Sequence, residues 1–186
     1  ATPLMMAGGK GHLPVLKQLL DAGATCDMTE YIGITAFIYA CEFGHLHVAR
    51  HLARRGADIN HKSLHRANAV HCACYRCHVA IVREFATRSL VNEKTDTGHN
   101  ALHAAVYLAE DEAAHLFRSP QDTKTFDDVL SNKMIKHKTP TNVKLTETDK
   151  LQVAQVILEL INNINERTNK GETALYLCCT QGYTDL

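Results

Sequence analysis

The sequence lacks an excess of charge of either sign, a long apolar run and a recognisable signal peptide. Twenty lysines and arginines are balanced by twenty aspartates and glutamates, so the formal net charge is zero. This balance gives the chain no global attraction to nucleic acid or to an anionic membrane. No apolar run approaches the roughly 20 residues that a transmembrane helix requires. We therefore expect neither nucleic-acid binding nor membrane insertion.

The residue combinations that carry catalysis are also missing. No glycine-rich phosphate loop follows a strand pattern, and no serine or cysteine is accompanied by an evident base and orienting group. Twelve histidines are present, but several recur at equivalent places, either after a turn (His12, His45, His78) or near a helix start (His71, His103). We expect no catalytic residues, no enzyme activity and no cofactor.

What the sequence does contain is a pair of short helix patterns in residues 33–60. Gly44 separates the two and Gly56 ends the second, since glycine enters the left-handed conformation without a Cβ penalty. Apolar residues recur three to four positions apart in each half, as on one face of a helix: Phe37, Ala40 and Cys41, then Val48, Ala49 and Leu52. A helix pair this small cannot bury its own apolar faces, so it needs a neighbour on each side.

The pattern recurs with a period close to 33 residues. Thr2 lies 33 positions before Thr35, and Asn68 lies 33 positions after it. Asn100 follows 32 positions later, and Thr173 a further 73 later, which is one period plus an insertion of 40. The five helix starts read TPLM, TAFI, NAVH, NALH and TALY. A fixed period with such starts is the signature of stacked helix pairs.

In these features the chain resembles the ankyrin-repeat family. Residues 2–24 and 33–60 follow its order of helix start, Gly-His turn, apolar outer helix and Gly-Ala exit. The resemblance implies an all-α ankyrin-repeat solenoid of stacked helix-turn-helix units with projecting finger connectors. We expect one domain over residues 1–186, with a truncated fifth repeat and an insertion at about 110–149 within the fourth, whose outer helix then covers 151–161. We also expect the chain to be a fragment of a longer protein.

The third repeat is the least regular. Cys77 replaces its turn glycine and Ser89 its exit glycine, and the connector before it, residues 61–66, has lost its glycine too. We expect a remodelled finger there and a repeat that is locally softer than its neighbours.

The segment HCACYRCH at 71–78 has two interpretations. It holds Cys74 and Cys77 in a C-x-x-C spacing between two histidines, which are ligand types that zinc accepts. The alternative is that these residues fill core and turn positions of the repeat, since no second ligand pair lies nearby. We expect free thiols and no metal, with a metal- or redox-responsive module as the alternative. Seven cysteines in a chain without secretory features indicate an intracellular protein, cytoplasmic or nuclear.

Asn60 has a distinctive context, because Ile59 and Asp58 precede it directly and Leu52 lies eight positions earlier. This resembles the context in which the hypoxia-pathway asparaginyl hydroxylase modifies ankyrin repeats, so Asn60 is a candidate hydroxylation site. The alternative is an asparagine that only hydrogen-bonds the turn backbone.

The resemblance implies a protein-protein interaction module or scaffold that binds a partner protein or peptide across its concave surface. An alternative is a regulatory domain of a larger enzyme, a ubiquitin-ligase adaptor or a channel. In the family, exposed inner-helix positions and the fingers line the groove. The predicted partner-binding residues at these positions are Tyr39, Glu42, Phe43, Tyr75, Arg76, Tyr107 and Leu108, with Met6, Lys10, Cys72, Leu177 and Gln181 as further members. That the rings merely pack between inner helices is the competing interpretation.

Overall fold

The computed structural model describes residues 1–106 and 147–180. Within these ranges the chain forms ten helices and no β-strand. The helices are α1 (Pro3–Gly9), α2 (Leu13–Asp21), α3 (Ala36–Glu42), α4 (Leu46–Arg54), α5 (Ala69–Tyr75), α6 (Val79–Phe85), α7 (Arg88–Asn92), α8 (Ala101–Val106), α9 (Glu147–Leu158) and α10 (Ala174–Thr180). The predicted all-α fold class is confirmed.

The helix starts are fixed by side chains that cap them. The Met5 N–H donates to Thr2 Oγ1 at 3.3 Å, and the Ile38 N–H donates to Thr35 Oγ1 at the same distance. At the start of α5, Asn68 Oδ1 accepts from two backbone N–H groups, at 3.0 and 3.1 Å. Each cap satisfies donors that the first helical turn leaves unpaired. Thr2, Thr35 and Asn68, which the sequence period marked as helix starts, are therefore the N-caps of α1, α3 and α5.

The helices form two layers. The inner helices α1, α3, α5, α8 and α10 pack one after another, and the outer helices α2, α4, α6 and α9 each pack on an inner helix. The core lies between the layers, where the Phe37 and Phe85 rings meet edge to face at 5.2 Å.

The helix predicted at 151–161 is observed as α9, which packs against α8 and α6 and buries Val153 and Ile157 completely. It begins and ends a few residues earlier than expected. The rest of the predicted insertion, residues 110–146, lies outside the described ranges, so the division into repeats remains a prediction.

Turn glycines are required where a histidine of the next repeat closes over them. Gly44 has a φ of +78°, and a Cβ there would lie 2.6 Å from Cε1 of His78. The His78 Nε2–H donates to the carbonyl oxygen of Glu42 at 2.9 Å, and His45 donates to Gly9 in the same way at 3.0 Å. The histidines after the turns therefore satisfy carbonyl groups at the ends of neighbouring inner helices.

The third repeat departs from this regularity in its outer helix. α6 ends at Phe85, and the C-cap residue Ala86 has an extended backbone with ψ 120°. Thr87 then caps the separate helix α7. Ser89 lies inside α7 rather than at a helix exit. Cys77 takes the place of the turn glycine, as expected, and adopts a φ of +56°.

Candidate functional site

The described members of the predicted binding surface lie together on the inner layer. Tyr39 and Glu42 belong to α3 and Phe43 caps its C-terminus, while Tyr75 ends α5 and Arg76 caps it. Residues three and four positions apart share one face of a helix, and α3 packs against α5. These five residues are called the concave strip below. Tyr107, Leu108 and Gln181 lie outside the described ranges.

The aromatic part of the strip is ordered by stacking. The rings of Tyr39 and Phe43 are nearly parallel, at 11°, with centroids 6.2 Å apart. Gly9 of α1 lies against them, and a Cβ there would sit 3.4 Å from Cδ2 of Phe43. Both rings are half-buried. They are thus held in place by packing while part of their surface stays open.

The polar part of the strip joins two repeats. The Arg76 guanidinium lies 3.4 Å from Oε1 of Glu42, with side-chain exposures of 31% and 15%. Burial raises the pKa of Glu42, and the guanidinium lowers it in part. Arg76 also lies over the Tyr75 ring, 5.6 Å from its centroid, within the range of a cation–π contact. This pairing fixes the position of one negative and one positive charge beside the rings.

Several predicted members are less accessible than expected. Tyr75 is only 9% exposed, and Cys72 and Leu177 are buried. Met6 is half-buried, whereas Lys10, which caps α1, is exposed. A partner can therefore reach four residues of the strip: Tyr39, Glu42, Phe43 and Arg76. The buried Tyr75 ring packs against the Arg76 guanidinium.

The structure adds one residue that the sequence analysis missed. Glu30 lies in the finger between α2 and α3, where its N–H donates to the carbonyl oxygen of Ile34 at 3.2 Å. Burial raises the pKa of the Tyr39 hydroxyl, and the charge of Glu30 raises it further, ahead of that of Glu42. The charge of Glu30 therefore acts on the Tyr39 hydroxyl of the strip. In the sequence, the signal for this residue was its acidic side chain directly before the finger tip.

The side chains of the HCACYRCH segment pack in the core or form hydrogen bonds within the chain. His71, Cys72, Cys74 and Cys77 are buried. In the Nε2–H tautomer, His71 donates to the carbonyl oxygen of Glu93 at 3.2 Å. Burial raises the pKa of the Cys77 thiol to about 11, and it also raises the pKa values of Cys72 and Cys74. Across residues 1–106 and 147–180, no group of three or more metal-ligating side chains comes together.

Asn60 is exposed after α4. Its backbone N–H donates to Oδ1 of Asp58 at 2.9 Å, which forms a local turn. Ile59 between them is half-buried. The side chain of Asn60 is thus presented to solvent from a fixed turn.

In the described part of the chain, no helix is both long and apolar enough to cross a membrane.

Parts of the chain are similar to known proteins. Residues 1–63 match the family model described as ankyrin repeats in three copies. The chain is 30% identical over 83 residues to the rice protein named probable E3 ubiquitin-protein ligase XBOS32, which is 44% of this chain and 17% of that protein. It is 29% identical over 102 residues to the Arabidopsis E3 ubiquitin-protein ligase XBAT33, covering 52% of this chain and 20% of that protein.

A mouse protein, ankyrin repeat and SAM domain-containing protein 6, is 37% identical over 60 residues, which is 32% of this chain and 7% of that protein. The chain therefore spans a fifth or less of the length of these relatives.

Proposed function

Because residues 1–63 are ankyrin repeats, we propose that this chain is a protein-interaction module that holds a partner protein or an extended peptide across the concave strip. The observation that carries this proposal is the arrangement of Tyr39, Phe43, Glu42 and Arg76, in which two stacked rings and an interrepeat ion pair share one surface. Tyrosine and arginine are enriched among residues that dominate binding energy.

The strip is suited to binding because it is preorganised. Tyr39 and Phe43 are fixed against each other and against Gly9 before any partner arrives. Ordering a free side chain on binding costs roughly 0.5–1.5 kcal/mol, so rings that are already ordered avoid much of that cost. The Glu42–Arg76 pair adds a charge pattern that selects the register of the partner.

The same proposal assigns the chain no catalysis, no cofactor and no nucleic-acid ligand. The balance of twenty basic and twenty acidic residues supports a protein partner over a nucleic acid. An intracellular location is supported by the cysteines, since all seven are free thiols.

A peptide selection tests this proposal. Extended peptides are selected from a random library on the folded chain, and their affinities are measured for Tyr39→Ala and Phe43→Ala. Each variant is expected to lose roughly 1–3 kcal/mol of binding free energy, more than it loses in stability. Val15→Ala, an exposed apolar position on the outer helix α2, is the control and should bind normally. Equal losses of stability and affinity would show that the rings serve only the core.

A second candidate function is suggested by the names of the plant relatives. In a longer protein, this module would present a substrate to a ubiquitin-ligase portion. Incubating the full-length protein with ubiquitin, ATP and the activating and conjugating enzymes tests this candidate. Ubiquitin transfer by the full-length protein but not by residues 1–186 is the expected result, and no transfer by either would argue against it.

A further inference from the structure

The outer layer of the stack is shorter at the third repeat than at the first two. The outer helices α2 and α4 each have nine residues, whereas α6 has seven and is followed by the extended residue Ala86. The chain then enters α7, which packs on the inner helices α5 and α8 instead of continuing the outer layer. The last turn of an outer helix is therefore missing at this repeat.

A groove lies between the end of α6 and the end of α9, where this turn is missing. It has a volume of about 400 Å³ and is lined by five residues: Arg83, Ala86, Val156, Glu159 and Leu160. Volumes of roughly 300–1,000 Å³ are typical of sites that enclose a ligand. Ala86, Val156 and Leu160 are half-buried, so part of each apolar side chain stays open to the groove.

Hydrogen bonds hold both walls of the groove in place. On one side, the Ala86 N–H donates to the carbonyl oxygen of Val82 at 2.9 Å. On the other side, the Asn92 side chain of α7 donates to the carbonyl oxygen of Leu160 at 3.2 Å and accepts from the Asn162 N–H at 2.8 Å. The groove is thus formed before any partner binds, which lowers the entropic cost of filling it.

The groove carries one charge of each sign that the described residues do not neutralise. Arg83 and Glu159 are both exposed, and neither forms an ion pair with another residue in 1–106 or 147–180. The neighbouring Glu84, by contrast, accepts from Arg50 Nε of α4 with both carboxylate oxygens, at 2.7 and 2.8 Å. A partner can therefore offer an acidic group to Arg83 and a basic group to Glu159.

We propose that this groove, called the outer groove below, binds a short amphipathic helix of a partner protein. Two apolar side chains of that helix lie on Ala86, Val156 and Leu160, with an acidic residue at Arg83 and a basic residue at Glu159. A helix fits because the groove takes the place of a missing helical turn, and an apolar helix face laid into an apolar groove is a common mode of recognition. The outer groove is separate from the concave strip, so this proposal goes beyond the proposed function and does not rest on it.

Four alanine-based peptides of about 16 residues, long enough to form a helix in water, test the proposal. Each carries two leucines one turn apart, with a glutamate one turn before them and a lysine one turn after, or with these two charges exchanged; a second pair has glutamines in place of the leucines. Binding is measured by fluorescence polarisation. The leucine peptide with the matching charge order is expected to bind roughly tenfold more tightly than its glutamine counterpart, because its apolar side chains are buried.

A charge-swapped variant assigns the preferred charge order to the groove. Arg83→Glu combined with Glu159→Lys exchanges the two charges and leaves the net charge unchanged, so the preference between the two leucine peptides should invert. Measuring both proteins with the same peptides removes the effect of any difference in peptide helicity. Lys17→Glu, at an exposed position on the outer helix α2, is the control for a changed charge and should keep the wild-type preference.

Ala86→Phe tests the apolar part of the groove. The backbone of Ala86, with φ −68° and ψ 120°, is one that any residue adopts, so the variant should fold with an unchanged Tm while its ring fills the groove. It should no longer bind the leucine peptides. The extended peptides selected for the concave strip should bind it normally.

The outcomes separate the outer groove from the concave strip, because different peptides and variants test the two. The absence of binding by all four peptides, equal binding of leucine and glutamine peptides, or a preference that the charge-swapped variant leaves unchanged would each overturn the outer groove. Self-association of the free chain that Ala86→Phe abolishes, measured by sedimentation, would overturn the partner helix in favour of a second copy. Amide shifts that Ala86→Phe alone causes in residues 110–146 would overturn it in favour of the chain itself.

Discussion

Two residues, Arg66 and Cys77, adopt a positive φ although they are not glycine. They show how the chain keeps its turns where the repeat's glycine has been replaced. Arg66 has a φ of +60° at the finger position where two other fingers carry Gly33 and Gly98. The expected remodelling of this finger is wrong, because the Arg66 N–H donates to Ser63 at 2.9 Å just as the Gly33 N–H donates to Glu30. The left-handed conformation costs a non-glycine residue roughly 1–2 kcal/mol, so the finger keeps its shape at the expense of strain.

Replacing Arg66 with glycine is therefore expected to stabilise the protein. The relieved strain exceeds the loss of roughly 0.5–1 kcal/mol that glycine causes through chain entropy, so the free energy of unfolding should rise by about 0.5–1 kcal/mol. Urea denaturation followed by circular dichroism measures this change.

Gly33→Ala is the matched reverse substitution. A Cβ at Gly33 would lie 2.9 Å from the backbone nitrogen of Leu64, so this variant should lose roughly 2 kcal/mol or more. A destabilising Arg66→Gly would instead show that the arginine side chain makes contacts that outweigh the strain.

At the scale of secondary structure, the sequence period located most helices, whereas the break in the third repeat could not be predicted. Leu90 and Val91 continue the apolar spacing of a helix and are buried, so the pattern alone does not reveal that Ala86 is extended. The candidate site, too, could be predicted from the sequence only in part. Helical spacing predicted that Tyr39, Glu42 and Phe43 lie together, but the position of Glu30 depends on a finger turn, in which its N–H donates to the Ile34 carbonyl oxygen.

Thr87→Ala tests the role of the break. Thr87 Oγ1 accepts from the Leu90 N–H at 3.2 Å and is the only side-chain cap observed for α7. Loss of such a cap costs about 1 kcal/mol, and hydrogen exchange in α7 should accelerate while exchange in α4 stays unchanged. Thr25→Ala, in an exposed finger position, serves as the control. Unchanged exchange in α7 would show that packing on α5 and α8 alone maintains this helix.

At the scale of the whole molecule, neutral histidines link the repeats. Burial lowers the pKa of His71 and of His99 to about 4, and it also lowers the pKa values of His45, His78 and His103. An unfolded chain binds protons at these side chains near pH 6.5. The native state binds fewer protons below that pH, so its stability is complete above pH 6.5 and falls on acidification.

The free energy of unfolding is therefore expected to fall by roughly 2–4 kcal/mol between pH 7 and pH 5, mainly through His71 and His99. The raised pKa values of Glu30 and Glu42 act in the opposite direction and offset part of the loss. Guanidinium denaturation across this pH range measures the change. His99→Gln should flatten the profile and His12→Gln, at an exposed position, should not. A profile independent of pH would contradict neutral histidines in the native state.

The central claim is that a partner binds across the concave strip, and amide chemical-shift mapping tests it most directly. A selected peptide is titrated into the ¹⁵N-labelled chain, and the shift of each backbone amide is followed. The account predicts that the largest shifts occur at Tyr39, Glu42, Phe43 and Arg76 and in the finger that contains Glu30. Shifts confined to the outer helices α2, α4 and α6 would contradict it.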